Sequence, residues 1–244
     1  MRLTLIAAAL AVGTFSAAAS ATTDTLYEGA LGSTPDKQGW VYVSFPPSRT
    51  RATQSLVDSR TVLDTTAAKS DMAGYFYRRL PPASPLDRSV GFSLMFSLQI
   101  LEEKHVNPNR AGFSLIVLSS DLKGVELAFW EDQIWAQSDR PLFVRGEGSR
   151  PFNTWSRMVD YTLAVQGDAY TLLANDEPIL KGALKDYSVF ATPPFDFVYR
   201  QPDFLFFGDN TGSAAARIAI AAIRVEAPAR VVLPPRTTRE GPAP

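Results

Sequence analysis

Alternation of apolar and polar residues is the dominant pattern in this chain. In residues 92–100, FSLMFSLQI, every second residue is Phe, Leu or Ile, and the residues between them are Ser, Met or Gln. Because successive side chains of a strand point to opposite faces, this segment predicts a strand with one buried and one wetter face.

Further segments have the same character, being rich in β-branched and aromatic residues and bounded by Gly, Asn, Asp or Ser. They span residues 112–118, 124–130, 133–137, 161–166, 169–174, 203–209 and 216–226. Gly167-Asp168 predicts a tight hairpin turn between two of them, and Asp121 to Gly124 predicts another turn. About a dozen short strands separated by turns predict an all-β sandwich or barrel in a single domain.

Helical patterns are few. Residues 182–190, GALKDYSVF, could form one short helical turn. The alanines at 214–216 make a helix the alternative for residues 216–226, but Ile218, Ile220, Ile223 and Val225 favour a strand because β-branched side chains restrict a helix.

The two ends of the chain differ from the middle. Met1-Arg2, the apolar run at 3–15 and the small residues ending in Ala21 have the layout of a secretory signal peptide over residues 1–21. The apolar run is shorter than the ~20 residues that span a bilayer. We therefore expect export to the periplasm or the extracellular space, a domain at 22–226, no membrane span in the mature chain and a disordered Pro-rich tail at 227–244.

Composition and charge exclude several classes of function. The 24 Lys and Arg nearly balance the 25 Asp and Glu, so the chain lacks the basic surface expected of a nucleic-acid-binding protein. The absence of Cys excludes disulfides, thiolate metal sites and Cys nucleophiles, and the single His, His105, excludes a multi-His metal site. Asp209-Asn210 offers too few oxygens to predict a calcium site, so we expect no metal and no cofactor.

The candidate chemistry lies in residues 124–137, GVELAFWEDQIWAQ. In the first strand, the alternate residues Val125, Leu127 and Phe129 are apolar and are expected to face the core. Glu126 and Trp130 would then lie on the opposite face. The same parity argument adds residues from the next strand and from a neighbouring one. The predicted binding face consists of Trp130, Trp135, Glu126, Gln133, Gln137 and Gln99.

Such a face suits a sugar. The CH groups of a pyranose stack on indole, and its hydroxyls bond to amide and carboxylate groups placed around an apolar floor. The alternative is that the two tryptophans pack under a loop or cover the sheet edge, since Trp is usually mostly buried.

The order of strands from residue 112 onward has a familiar form: GFSLIVLSS, GVELAFW, YTLAVQGDAYTLLANDEPILKG, FLFFGDN and RIAIAAIRVE. This order resembles the concanavalin A-like lectin/glucanase superfamily, which includes laminin G-like modules. The resemblance implies a jelly-roll sandwich of two antiparallel sheets, with Asn175 at a turn before the next strand. It covers about residues 25–226, judged from the spacing of the strands.

A narrower resemblance rests on LYEGALG (26–32), QGW (38–40), LDTTA (63–67), RAGFSLIVLS (110–119) and IWAQS (134–138). These pieces are similar to bacterial secreted domains of the "choice-of-anchor" type, which have no assigned chemistry and often end in a C-terminal sorting anchor. The tail of this chain has no apolar sorting helix, so the resemblance implies a released protein.

The resemblance also raises an enzymatic alternative. Retaining glucanases of the superfamily carry a Glu-x-Asp-x-Glu strand motif, or a bulged form with one extra residue. Glu126 and Glu131 match the bulged spacing, but Ala128 replaces the middle Asp. A retaining mechanism needs two carboxyl groups ~5–5.5 Å apart, and only a bulge would bring these two to one face.

The sequence thus leads to one hypothesis and two alternatives. We expect a secreted, non-catalytic module that binds carbohydrate or another extracellular surface ligand. The alternatives are a glycoside hydrolase that uses Glu126 and Glu131, and a structural or interaction protein without a small ligand.

Overall fold

The computed structural model describes residues 21–77, 85–190 and 198–228. These residues form β-strands and three single-turn 3-10 helices, and they contain no α-helix. The strands are β1 (Ala21–Glu28), β2 (Trp40–Phe45), β3 (Thr53–Val57), β4 (Arg60–Asp64), β5 (Met72–Tyr77), β6 (Phe92–His105), β7 (Ser114–Leu118), β8 (Lys123–Phe129), β9 (Ile134–Asp139), β10 (Leu142–Gly148), β11 (Val159–Gln166), β12 (Ala169–Ala174), β13 (Glu177–Ala183), β14 (Lys185–Asp186), β15 (Phe204–Asp209) and β16 (Ala214–Pro228).

Two antiparallel sheets, each of eight strands, contain all of these elements. Sheet A has the order β13-β12-β11-β6-β16-β4-β3, with β1 paired to the second half of β16. Sheet B has the order β10-β9-β8-β7-β15-β5-β2, with β14 paired to the start of β8. This is the two-sheet jelly-roll sandwich that the alternation and the resemblance predicted.

The main core lies between the two sheets, where the alternate apolar side chains of each strand are buried. Phe96 of β6 lies at its centre: its ring stacks on Tyr161 of sheet A at 5.1 Å and makes edge contacts with Phe129 and Phe207 of sheet B. Offset and edge-to-face aromatic pairs of this kind add to the stabilisation that burial provides. The alternate apolar side chains of residues 92–100 are therefore the ones through which the two sheets pack together.

The predicted turns are present. Gln166 pairs with Ala169, so Gly167-Asp168 forms a two-residue hairpin turn in which Gly167 has a positive φ of 60°. Asn175 and Asp176 join β12 to β13 with φ of 47° and 67°, in the left-handed region that Asn and Asp tolerate. This is the turn that the resemblance implied for Asn175.

Residues 182–190 form no helix, but a short turn closes at their end, where the Phe190 amide donates to the Tyr187 carbonyl at 3.0 Å. β13 ends at Ala183, and Lys185–Asp186 forms β14 on sheet B. The backbone amides here donate to other parts of the chain, Leu184 to the Asp168 carbonyl and Tyr187 to the Leu122 carbonyl. Pairing with other strands has overridden the weak local helix propensity.

The predicted domain limits differ slightly from the strand limits. Ala21, assigned to the signal peptide, begins β1, and Ala227 and Pro228, assigned to the tail, end β16 opposite Thr22 and Ala21. The remaining residues of the predicted signal peptide and tail lie outside the described residues. No helix within the described ranges has the length and hydropathy needed to cross a bilayer.

The outer face of sheet B, opposite the core, carries a second apolar layer. Ile116 and Phe206 on the sheet pack with Tyr187, Phe190 and Tyr199, which follow β14 or precede β15. Because the chain folds back over this face, it is partly covered rather than open to solvent.

A row of small residues crosses this outer face. The row joins Gly74 of β5, Gly208 of β15, Ser114 of β7 and Ala128 of β8, each paired directly with the next. With no side chain on Gly74, the ring of Phe206 lies only 2.5 Å from the point where a Cβ would stand. The small residues therefore let side chains of the outer layer lie directly on the sheet.

Gly74→Ala should lower the free energy of unfolding by about 1–3 kcal/mol, because the added methyl group would meet Phe206 and the Phe207 carbonyl oxygen. Gly212→Ala is the matched control: its Cβ would meet no atom within 4 Å, and we expect a change within about 0.5 kcal/mol. Urea unfolding of both variants measures the difference. Equal stability of the two would contradict this packing.

Candidate binding groove

A groove lies on the outer face of sheet B, above β2, β5 and β15. Two adjoining cavities of about 600 and 430 Å³ form it, and both are lined by Met72, Val198, Phe206 and Asn210. Each volume is within the usual range for small-molecule sites. We call the larger one the apolar cavity and the smaller one the polar cavity, after the residues that line them.

The apolar cavity has an aromatic floor. Phe76 of β5 and Phe206 of β15 are cross-strand neighbours, and Phe204 stacks on Phe76 with ring centroids 6.1 Å apart. Val43 and Phe45, from the edge strand β2, complete the rim and are 39% and 50% exposed. Gly74 lies within this lining, so the cavity opens beside the row of small residues.

The polar cavity lies on the other side of Phe206. Its polar lining comes from two loops, Asn107 and Arg110 before β7, and Asn210, Thr211 and Ser213 between β15 and β16. The hydroxyls of Thr211 and Ser213 lie 3.0 Å apart. Hydrogen-bonding groups therefore converge here beside an aromatic ring, as they do in sites that orient a polar ligand.

A buried carboxylate beneath the polar cavity organises these loops. Glu126 of β8 is wholly buried; the Tyr199 hydroxyl donates to its Oε2 at 2.5 Å and Asn210 Nδ2 donates to its Oε1 at 2.9 Å. Arg110 Nη1 lies 3.9 Å from the same Oε1, so the pair of charges offsets the cost of burying either one alone.

Arg110 connects this buried network to the groove. Its Nη2 donates to Asn210 Oδ1 at 3.0 Å, and its guanidinium lies 4.8 Å from the centroid of the Phe143 ring. Its Nη1 is buried without a hydrogen-bond partner among the described residues. An unused donor in a polar pocket is a candidate contact for a ligand oxygen.

Burial shifts the pKa of two groups around the groove. Desolvation raises the pKa of the Tyr199 hydroxyl well above its usual value, and the nearby Glu126 carboxylate raises it further. Desolvation also raises the pKa of Asp209 well above that of a free aspartate, although hydrogen bonds from Thr65 and Thr211 oppose this shift. Tyr199 therefore stays protonated and donates to Glu126.

The predicted binding face has the predicted parity but not the predicted exposure. Glu126, Trp135 and Gln137 do lie on the face of sheet B opposite the core, yet all three are buried there. Trp130 is half-buried: the ring of His105 lies parallel to it at 3.8 Å, and the Arg145 guanidinium lies 4.7 Å from its centroid. The open pair of indoles expected from the sequence is thus covered by loops and side chains.

These buried residues instead support the loop that carries Arg110. Trp130 Nε1 donates to the Arg110 carbonyl at 3.0 Å, and Gln137 Nε2 donates to the Asn109 carbonyl at 2.9 Å. Gln133 accepts a bond from Arg145 and donates to the Ser149 carbonyl. The hydrogen bonds of Trp130 and Gln137 thus anchor the wall of the polar cavity.

Gln99 and Glu131 lie elsewhere. Gln99 belongs to β6 of sheet A and donates to the Trp155 carbonyl at 2.7 Å, so it does not share a face with Trp135. Glu131 follows β8 and accepts a bond from the Glu103 amide at 3.2 Å. Glu126 and Glu131 therefore contact different elements, and the structure does not bring them together as a catalytic pair.

Sequence reasoning missed the residues that line the groove, above all Phe206, Phe76 and Arg110. The string FLFFGDN did mark a strand, and the parity of Phe204 and Phe206 separates them from the core residues Leu205 and Phe207. An apolar residue on both faces of a strand signals that both faces are covered. That signal was available but did not indicate which loops cover the second face.

Tyr199→Phe should lower the free energy of unfolding by about 1.5–3 kcal/mol, since it removes a hydrogen bond to a buried charge. Tyr161→Phe is the matched control: it is equally buried, but its hydroxyl has no partner among the described residues, so we expect a loss below about 0.5 kcal/mol. Chemical denaturation of both variants tests this. A Tyr161→Phe variant that loses as much as Tyr199→Phe would contradict the network.

Comparisons with known proteins identify the fold. No protein-family model and no curated protein matches the chain by sequence. The carbohydrate esterase vb_24B_21 from the Shiga toxin-encoding bacteriophage phi24B has a TM-score of 0.57 at 15% identity, covering 84% of this chain and 99% of that chain.

Two more solved structures have the same fold. A protein of unknown function with a galectin-like fold from Bacillus subtilis has a TM-score of 0.53 at 13% identity, over 84% of this chain and 97% of that one. The Crh5 transglycosylase in complex with NAG has a TM-score of 0.51 at 13% identity, over 86% and 85%. The chain thus has the fold of lectin- and glucanase-like jelly rolls.

Proposed function

We propose that this protein is a secreted, non-catalytic module that binds carbohydrate through the groove on sheet B. The observation that carries this proposal is the placement of Phe206, which separates an aromatic floor from a cluster of hydrogen-bonding groups. A sugar presents CH groups on its faces and hydroxyls around its rim. It would lie across Phe206, a residue that is 7% exposed and borders both cavities, with its hydroxyls toward Arg110, Thr211 and Ser213.

The fold comparisons support a carbohydrate ligand by analogy. Two of the similar structures are a carbohydrate esterase and a transglycosylase in complex with NAG. A shared fold does not by itself imply a shared function, so the proposal rests on the groove of this chain. Export is proposed from the signal-peptide pattern of residues 1–21.

The geometry around the two glutamates favours binding over hydrolysis. A retaining glycosidase presents two carboxyl groups ~5–5.5 Å apart to the glycosidic bond. Here both carboxylate oxygens of Glu126 are bonded within a buried network, and Glu131 bonds to the backbone of β6. Asp209, which lines the apolar cavity, is also buried and bonded to Thr65 and Thr211.

Phe206→Leu should weaken carbohydrate binding by about 1–3 kcal/mol, because leucine fills part of the space but lacks the aromatic ring that borders both cavities. A glycan array of plant, algal and bacterial polysaccharides finds the ligand, and titration calorimetry then compares the variants. Trp155→Leu is the control: it makes the same kind of change at an aromatic residue that is 54% exposed and outside the groove lining.

We expect Trp155→Leu to bind like the unmodified protein. Binding that Trp155→Leu abolishes and Phe206→Leu leaves intact would place the ligand away from the groove. No binding to any polysaccharide on the array would count against a carbohydrate ligand altogether.

A further inference from the structure

We infer that the ligand is a sugar joined to an apolar group, an alkyl chain or an aryl ring, and that the apolar cavity holds this group. The inference rests on the proposed function and makes its ligand more specific. It follows from the different side chains that line two cavities which share Met72, Val198, Phe206 and Asn210.

The apolar cavity is lined mainly by hydrocarbon groups. Phe76, Phe204 and Phe206 form its floor, and Val43 and Phe45 form its rim at the sheet edge. Both rim residues are well exposed, at 39% and 50%. Covering them with an apolar group would remove hydrocarbon surface from water, which is favourable in proportion to the area buried.

The polar groups of the apolar cavity are largely engaged already. Asp203 Oδ1 accepts bonds from the Leu86 amide at 2.9 Å and the Ser120 hydroxyl at 2.7 Å. Asn210 donates to Glu126 and accepts from Arg110. A sugar hydroxyl placed here would compete with these existing bonds for Asp203 Oδ1 and Asn210, whereas an apolar group would leave them intact.

The polar cavity differs in the hydrogen-bonding groups among its lining residues. Arg110 Nη1 is a donor without a partner among the described residues, and Thr211 and Ser213, whose hydroxyls lie 3.0 Å apart, line the same cavity. The charge of Arg110 is balanced by Glu126 at 3.9 Å. A neutral hydroxyl is therefore better matched to this site than a carboxylate, which would compete with Glu126 for the guanidinium.

The two cavities are adjoining, and one ligand can occupy both. Met72, Val198, Phe206 and Asn210 line each of them, so these four residues form the boundary that a ligand spanning both cavities would cross. A glycoside whose sugar lies in the polar cavity would direct its apolar group across Phe206 onto Phe76 and Val43. The ligand class is thus an amphipathic glycoside or an acylated sugar.

The test compares probes that share a sugar and differ in the attached group. Methyl and octyl β-D-glucopyranoside, the corresponding galactosides and N-acetylglucosaminides, and 6-O-octanoyl glucose are titrated into the protein below their micelle-forming concentrations. For at least one sugar we expect the octyl or octanoyl probe to bind about tenfold tighter than the methyl glycoside, since burying two methylene groups gives that gain. The tighter of the two chain-bearing probes distinguishes a glycolipid-like source from an acylated polysaccharide.

Two variants test where the alkyl chain of the probe binds. Val43→Glu places a charge on the rim of the apolar cavity and should bring the octyl-to-methyl affinity ratio close to one, because the carboxylate resists burial under a hydrocarbon chain. Val57→Glu makes the same change on the edge strand β3 of the other sheet, at a residue that is 49% exposed, and should leave the ratio unchanged. Circular dichroism checks that both variants fold.

Each other outcome overturns the inference. If methyl and octyl probes bind equally, the ligand has no apolar group in this cavity, while carbohydrate binding still stands. The same conclusion follows if octyl probes fail to displace a polysaccharide found on the array. If octanoate binds as tightly as the octyl glycosides, the sugar contributes nothing to binding and the ligand is not a glycoside. Absence of binding to every probe and to the array would overturn the proposed function together with the inference.

Discussion

The carboxylate of Glu126 is the group on which the outer layer of sheet B depends. A buried charge must be neutralised and fully hydrogen-bonded, and here the partners come from three separate segments: Arg110 before β7, Tyr199 before β15 and Asn210 after it. Satisfying this one group therefore draws the loops onto the sheet and fixes the wall of the polar cavity. The groove and the buried network therefore depend on the same residues.

The alternation along the strands was sufficient to predict the sandwich. It placed Val125, Leu127 and Phe129 in the core and put Glu126 and Trp135 on the other face, as the structure has them. The face on which a side chain lies depends only on its position along the strand, because successive side chains alternate between the two faces. Whether the second face is open depends on which distant loops cover it, and no local pattern determines that. His105 over Trp130 and Tyr199 over Glu126 are contacts of this kind.

The groove could not be read from the sequence for a related reason. It depends on register, because Gly74 lies opposite Gly208 and Phe76 opposite Phe206 only when β5 and β15 pair as they do. A shift by one residue would turn all of these side chains toward the core. Trp130 and Trp135 were expected to form an open face because indole rings stack on sugars. Here Trp130 anchors a wall through its Nε1, Trp135 is buried against it, and phenylalanines form the floor.

We propose that the ligand lies across Phe206, where the two cavities meet. An NMR titration with the polysaccharide that binds tightest on the array tests this most directly, because backbone amide shifts report the contact residue by residue. We predict that the largest shift changes fall in Met72–Tyr77, Phe204–Ser213 and around Arg110. Changes confined to the outer face of sheet A, in β11 and β12 or near Trp155, would contradict the account.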